Sequence, residues 1–236
     1  NKPDCIAKLR ELVKGHSRIE VKEVMTKYPQ GGERTLIYAT TGREINSSML
    51  PADAGCVVDN VDTVVAVYKA VILGRPVMNR IVTVTGDAIA SPKNFTVLTG
   101  TNMEELIEAA GGLKTGAAKV ISGGPMMGFA MFDLHVPCVK TTSAFLCLEK
   151  DAVSEAQKQM TACINCGRCV RVCPGRVLPA RLATLAERGD MAGFEKLNGM
   201  ECCECGCCSY VCPAKRPLTQ SIKSMRKMVL ASRRKK

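Results

Sequence analysis

Eight cysteines between Cys163 and Cys212 constrain this chain more than any other feature. The run Cys163-x-x-Cys166-x-x-Cys169-x-x-x-Cys173-Pro174 is followed by Cys202-x-x-Cys205-x-x-Cys208-x-x-x-Cys212-Pro213. Three thiols at three-residue intervals lie on one tight loop, with their sulfurs converging on one object. The proline after the fourth turns the chain away. That spacing is the ligand run of a [4Fe–4S] cluster, and here it occurs twice.

In two-cluster ferredoxins the fourth cysteine of each run ligates the cluster of the other run. The expected sets are therefore Cys163, Cys166, Cys169 and Cys212 for one cluster, and Cys173, Cys202, Cys205 and Cys208 for the other. Structural zinc is the weaker reading, since it takes four thiolates in two separated pairs and needs no third cysteine in each run. A disulfide framework suits a short secreted chain, and no signal-like apolar region precedes these thiols. Fourteen cysteines without such a signal point to a reducing, cytoplasmic compartment.

The formal net charge is +11. Eight thiolates and two oxidised cluster cores would leave about +7. The chain stays basic, which suits an acidic partner or an anionic membrane surface. Much of the excess lies in the tail, where Lys223 to Lys236 carry seven basic residues and no acid. With no Trp, four Tyr and five Phe, the chain has no stacking platform for single-stranded nucleic acid. No apolar run approaches the roughly eighteen residues needed to cross a bilayer.

In chain order, residues 1 to 13 read as a helix, and Ile19, Val21 and Val24 read as a short strand. A helix through Leu36 to Tyr38 stops at Gly42, and another from about Thr63 stops at Gly74. From Arg75 the texture is that of a β-grasp sheet. Strands are expected over Ile81–Thr85, Phe95–Leu98, Val120–Ser122 and Ala144–Leu148. Thr101 and Glu104 read as a capping box opening a helix through Leu106 and Ile107. Residues 151 to 236 read as helical, with helices before the first run, between the runs and at the C-terminus. The last carries the stripe Leu218, Ile222, Met225 and Val229. The fold class is thus α+β and multidomain. Residues 1–74 read as the end of an α/β unit, 75–150 as a β-grasp domain, and 151–236 as a helical two-cluster ferredoxin domain. The opening at Asn1, already inside a helix pattern, reads as a fragment or a processed chain.

Five separated blocks carry a resemblance. They are Lys27-Tyr28-Pro29-Gln30-Gly31-Gly32-Glu33, Leu50-Pro51-Ala52-Asp53, Val82-Thr83-Val84-Thr85-Gly86-Asp87, Ile121-Ser122-Gly123-Gly124-Pro125-Met126-Met127-Gly128, and Glu204-Cys205-Gly206-Cys207-Cys208-Ser209-Tyr210-Val211-Cys212-Pro213. In these blocks the chain resembles the C subunit of the Rnf-type ion-translocating electron-transport complex. The same architecture is similar to the flavin-bearing NADH-binding subunit of respiratory complex I. The resemblance implies a peripheral subunit on the cytoplasmic face of the cell membrane. Its partners would be the other subunits of the membrane complex, with NAD(H) and ferredoxin as redox partners. Any membrane contact would be indirect, aided by the basic tail. The chain would mainly carry electrons and do no bond-making chemistry itself.

The resemblance also implies that residues 1–74 are the C-terminal part of an α/β flavin/NADH-type domain, with contacts for a flavin. Gly32-Glu33-Arg34-Thr35 resembles the relative's Gly-Glu-Glu-Thr, with Arg34 in place of the second acid. Asp59-Asn60-Val61-Asp62-Thr63 resembles its flavin-contacting Asn-Asn-Val-Glu-Thr. Glu33, Asn60 and Thr63 are thus the candidates on the flavin and NADH side, with helix capping and loop hydrogen bonding as their other reading. The family's glycine-rich phosphate loop is not in this sequence, so FMN is expected only together with that missing N-terminal part.

Gly123 to Gly128 offers bare backbone to a cofactor, or a tight turn with core methionines. Cys203 and Cys207 are off the ligand spacing and read as spare thiols; Cys5, Cys56, Cys138 and Cys147 read as small buried hydrophobes. Two further functions stand beside the electron carrier. One is a corrinoid reductase of the same architecture, and the other is a non-redox module stabilised by metal. Arg168, Arg171 and Arg176 beside the first run favour the more negative, reduced cluster. Arg168→Gln is expected to lower that cluster's midpoint potential; an unchanged potential would remove the role for this residue.

Overall fold

The computed structural model describes residues 1–114 and 116–234. The two terminal lysines of the basic tail lie outside the described residues. The N-terminal third is made of three helices and connecting turns. α1 (Pro3–Leu12) starts with proline in its first turn and has Asp4 there and Arg10 in its last turn, as the helix dipole favours. α2 (Glu33–Thr41) ends at Gly42, whose left-handed φ of 74° closes the helix. α3 (Val61–Leu73) starts at Asn60, whose side chain accepts from the Asp62 N–H at 3.0 Å, and ends at left-handed Gly74.

The expected strand around Ile19 to Val24 is not formed; the chain there is irregular. Its β-branched residues have no neighbouring strand to satisfy their N–H and C=O groups, and a lone strand gains nothing over solvation. Within this third, Ile37 is the one buried core residue among those described. Val64, Val67, Tyr68 and Val71 on α3 are all more than half exposed.

Residues 79–148 form a five-stranded sheet covered by one helix. β1 (Asn79–Thr85) pairs antiparallel with β2 (Lys93–Leu98), placing Ile81 opposite Thr96 and Thr83 opposite Asn94. After α4 (Met103–Ala109) come β3 (Lys119–Ser122), the short β4 (Phe129–Ala130) and β5 (Ala144–Leu148). The order β2-β1-β5-β3-β4 inserts the last strand into the middle, parallel to β1 and antiparallel to β3. Alternation along β1 and β5 aims Val82, Val84, Phe145 and Cys147 at one face. There they meet Met103, Leu106 and Ile107 of α4. This is the β-grasp arrangement.

Asn102, not Thr101, caps α4, accepting from the Glu104 N–H at 3.0 Å. The capping-box spacing pointed one residue too early because asparagine caps at least as well as threonine. Asn102→Ala is expected to destabilise this unit by about 1 kcal/mol in thermal unfolding, with Thr101→Ala nearly neutral.

The C-terminal unit is helical. α5 (Ala152–Lys158) is capped by Asp151, which accepts from the N–H groups of Val153 and Ser154. There follow α6 (Arg168–Arg171), α7 (Pro179–Glu187), α8 (Met191–Lys196), a single tight turn at Gly199–Glu201, α9 (Cys207–Tyr210) and α10 (Leu218–Arg234). Leu218, Ile222, Met225 and Val229 are all buried, so the expected stripe on α10 faces the core. Three of them meet Val177, Leu182, Phe194 and Met200.

The backbone repeats with the cysteines. The offset from Cys163 to Cys202, 39 positions, also takes α6 onto α9 and the start of α7 onto the start of α10. It takes the positive φ values of Asn165, Gly167 and Arg176 onto those of Glu204, Gly206 and Lys215. Two left-handed residues within each run curl the loop so that its thiols point the same way.

Candidate metal centres

Each cysteine run ends in a short helix, and the tight curl before that helix brings its first three thiols to one side. Packing of α6 against α9 and of α7 against α10 then sets the fourth cysteine of each run against the other loop. One cavity, of about 220 Å³, is lined by Cys163, Cys166 and Cys169 together with Cys212. A second, closed to about 10 Å³, is lined by Cys202, Cys205 and Cys208 together with Cys173. The structure thus brings together the two crossed sets expected from the spacing. Cys203 also lines the second cavity, although it is off the spacing.

All fourteen cysteines are free thiols. Among the described residues, no three His, Cys, Asp or Glu side chains converge closely enough for a single metal ion. A zinc ion needs its thiolates within about 2.3 Å. A cubane spreads its four thiolates over four irons, and the four cysteines in the wall of the wider cavity fit that donor set.

The two sites differ in their surroundings. Cys163 and Cys166 are exposed, whereas Cys202 and Cys205 are half-buried and Cys208 is buried. Burial pushes the Cys202 thiol up to about 11 and raises Cys208 in the same direction, so these thiolates need a bound cation to be stable at neutral pH. Donors to sulfur surround the second site. The Glu204 N–H donates to Cys202 Sγ at 3.4 Å, and Thr219 Oγ1 lies 3.3 Å from Cys208 Sγ. The Glu204 carboxylate is in turn held by Arg226 and by Lys223, the latter at 3.5 Å. The first cavity is instead lined by Arg168, Arg181 and Arg216.

Residues far away in sequence close over the second loop. Tyr28 Oη donates to the Cys205 carbonyl at 2.6 Å. Burial, then the charge of the neighbouring cysteine thiolates, holds the Tyr28 phenol above its ordinary value, so it remains a donor. Glu201, just before the run, accepts from the Ser47 N–H and hydroxyl and pairs with Arg34 at 3.0 Å. Arg34, which departs from the relative's second acid, thus ties the N-terminal third to the helical unit. The Met126 methyl sits so close to Gly206 that a Cβ there would lie 2.4 Å from it. Met126 and Met127 are 44% and 64% exposed, so the turn at Gly123–Gly128 is not built on core methionines. Sequence reasoning missed these contacts, because each joins positions with no local pattern in common.

Burial pushes the Glu201 carboxyl up, but the Ser47 hydrogen bonds and the Arg34 guanidinium outweigh it and leave it below its ordinary value of 4.5. A lowered carboxylate stabilises the fold above that value and loses its contribution as the pH falls through the lower folded one. The tether is therefore expected to weaken only below about pH 4.5. At neutral pH, Glu201→Gln should speed hydrogen exchange at the Ser47 amide about tenfold, as for a lost bond to a charged group. Unchanged protection would show that Glu201 does not hold this segment.

Of the flavin-side candidates, Glu33 is exposed at the first position of α2, Asn60 is occupied as the cap of α3, and Thr63 lies in the first turn of α3. Neither thiol cavity includes them. Cys138 and Cys147 are buried, and burial raises both thiols, as for inert core cysteines. Cys5 is exposed and Cys56 half-buried, so these two are not core residues. Among the described residues, no helix is long and apolar enough to cross a membrane.

The fold and the thiol sites define a multidomain iron–sulfur protein with a β-grasp domain. Three family models match in succession: a Nuo51 FMN-binding domain over residues 1–69, an SLBB domain over 81–130, and a 4Fe-4S dicluster domain over 162–215. The C subunit of the Na(+)-translocating ferredoxin:NAD(+) oxidoreductase complex of Acetobacterium woodii is 44% identical over 235 residues, covering 100% of this chain and 53% of that protein. The C subunit of the proton-translocating ferredoxin:NAD(+) oxidoreductase complex of Clostridium ljungdahlii is 42% identical, covering 96% and 49%. Its counterpart in the ion-translocating oxidoreductase complex of Pseudomonas aeruginosa is 43% identical, covering 77% and 23%. The chain belongs to the family of C subunits of ion-translocating oxidoreductase complexes. It spans about half the length, or less, of these relatives.

Proposed function

We propose that this chain is the iron–sulfur relay of a C subunit that passes single electrons between a flavin and the rest of an ion-translocating ferredoxin:NAD(+) oxidoreductase complex. One observation carries the reading: two thiol cavities, each lined by three cysteines of one run and the fourth cysteine of the other. Cys163, Cys166, Cys169 and Cys212 hold the first cluster, and Cys173, Cys202, Cys205 and Cys208 the second. The clusters supply one-electron capacity. The protein's part is to hold them a short distance apart, donate hydrogen bonds to sulfur from Glu204 and Thr219, and place charge nearby.

We assign residues 1–74 to the flavin side, 75–150 to the β-grasp domain and 151–236 to the cluster domain. The uncovered apolar face of α3 supports reading the first of these as part of a larger α/β unit. Glu33, Asn60 and Thr63 would contribute to FMN binding only alongside a glycine-rich phosphate loop, which this sequence does not contain. The protein would sit on the cytoplasmic face of the membrane, held by its partner subunits, with the basic tail favouring an anionic surface.

The test is ferredoxin-dependent NAD(+) reduction by membranes carrying the full-length protein. The Cys166→Ser/Cys205→Ser double variant should abolish it while the subunits still co-purify. Activity within about twofold of the parent would contradict the relay, since removing a required path costs orders of magnitude. Reduction of a corrinoid, with none of NAD(+), would replace this reading by the corrinoid reductase.

A further inference from the structure

The two thiol sites differ in what covers them. Around the second, Tyr28, Met126 and the Arg34–Glu201–Ser47 link cover the loop from the N-terminal third and from the sheet. Around the first, residues 161 to 168 are all exposed, and Cys163 and Cys166 among them reach the surface. Ile164, Val170 and Leu178 line that cavity and are 63%, 40% and 39% exposed. Arg168 and Arg181 line it too, and Arg171, one turn after Arg168 on α6, is exposed. Among the described residues only Arg216 of the lining arginines is ion-paired, with Glu187. Unpaired cations ringing a small apolar centre is the anatomy of a transient docking face whose partner is acidic.

We infer that this arginine-ringed face is where an acidic one-electron carrier protein docks, so that electrons cross the molecular surface at the first cluster, while the second faces the flavin side. The inference rests on the relay reading above. In each encounter the partner gives up one electron and this chain gains one, with no proton moved and no bond made or broken. Charge complementarity steers the approach. The apolar centre around Ile164 excludes water and brings the partner's centre close to Cys163 and Cys166. An anionic membrane would also be drawn to these arginines, but lipid has no electron to give at the exposed thiols.

The test uses the cluster-loaded chain and reduced flavodoxin, an acidic one-electron carrier whose flavin absorbance is separable from that of the clusters. Arg171→Glu/Arg181→Glu should slow second-order reduction at least about tenfold at low salt, with the difference shrinking as salt is added. Lys93→Glu/Lys140→Glu makes the same change in net charge at exposed positions of the sheet unit and should leave the rate unchanged. Any shift in cluster potential that Arg171→Glu brings acts equally on reduction by a small neutral reductant, photoreduced deazaflavin, so the flavodoxin rate of the arginine double should fall at least about tenfold beyond its deazaflavin rate, and that of the lysine double should not. If the charge-reversed double fails to hold its clusters, Arg171→Gln/Arg181→Gln should show a smaller loss with the same salt dependence. Equal slowing by both glutamate doubles, or no slowing by the arginine variants, would overturn the docking face. So would loss of binding to anionic lipid vesicles without any loss of flavodoxin rate. If the unmutated chain takes up no clusters, the relay reading fails first, and the docking inference with it.

Discussion

Serine at both Cys169 and Cys212 is expected to leave one cluster, about four irons per chain, whereas serine at both Cys169 and Cys173 should leave none. The contrast follows from the crossed sets. Cys169 and Cys212 line one cavity, so the second substitution damages a site already lost. Cys169 and Cys173 lie in one run but line different cavities, so each substitution removes its own cluster. Were each run to bind its own cluster, the two results would be exchanged. The consequence reaches the core. Cys169 and Cys212 pack beside buried Ala183, Cys208 and Leu218, and Cys173 and Cys202 pack against the cluster of Val177, Leu182 and Ile222. Metal-binding free energy in such a unit is folding free energy. The one-cluster variant should therefore melt below the parent, and the cluster-free variant lower still. Iron analysis and thermal unfolding on the same preparations read both effects.

Gly86→Ala should be the most damaging single change in the sheet unit. Gly86 follows β1 with φ at +124°, and a Cβ there would stand 1.9 Å from the Cys147 carbonyl oxygen and 2.7 Å from that residue's C and N. These are backbone atoms of β5, which is held between β1 and β3 and cannot swing aside. The expected cost is about 3 kcal/mol or more, from backbone strain and a displaced central strand together. Gly112 isolates the strain component. Its φ is +79° and nothing lies within 4 Å of an added Cβ, so Gly112→Ala should cost only about 1 kcal/mol. Urea unfolding of the two variants separates them; equal losses would mean that the close approach to β5 is relieved by a small shift.

The parts of the fold legible in the sequence were those set by local periodicity. The stripe Leu218, Ile222, Met225 and Val229 needs only a helix and an apolar neighbour, and all four are buried. The β-branched run at Ile81–Thr85 became a strand because Phe95–Leu98, itself rich in strand formers, lies within hairpin reach. Ile19 to Val24 has similar residues but no partner, so propensity alone produced nothing. The thiol spacing is itself a geometric statement, and each expected set of four lines one cavity. The left-handed Asn165, Arg176, Glu204 and Lys215 were not legible, since none is a glycine. Tyr28, Arg34, Ser47 and Met126 meet the second loop through tertiary packing, for which one sequence carries no periodic signal.

Iron, acid-labile sulfide and EPR spin count on one anaerobic preparation test the two-cluster assignment most directly. About eight irons and eight sulfides per chain are expected, with dithionite reduction producing a signal that approaches two spins per chain and disappears on reoxidation. Fewer than about four irons, zinc in their place, or clusters that cannot be reversibly reduced would contradict it.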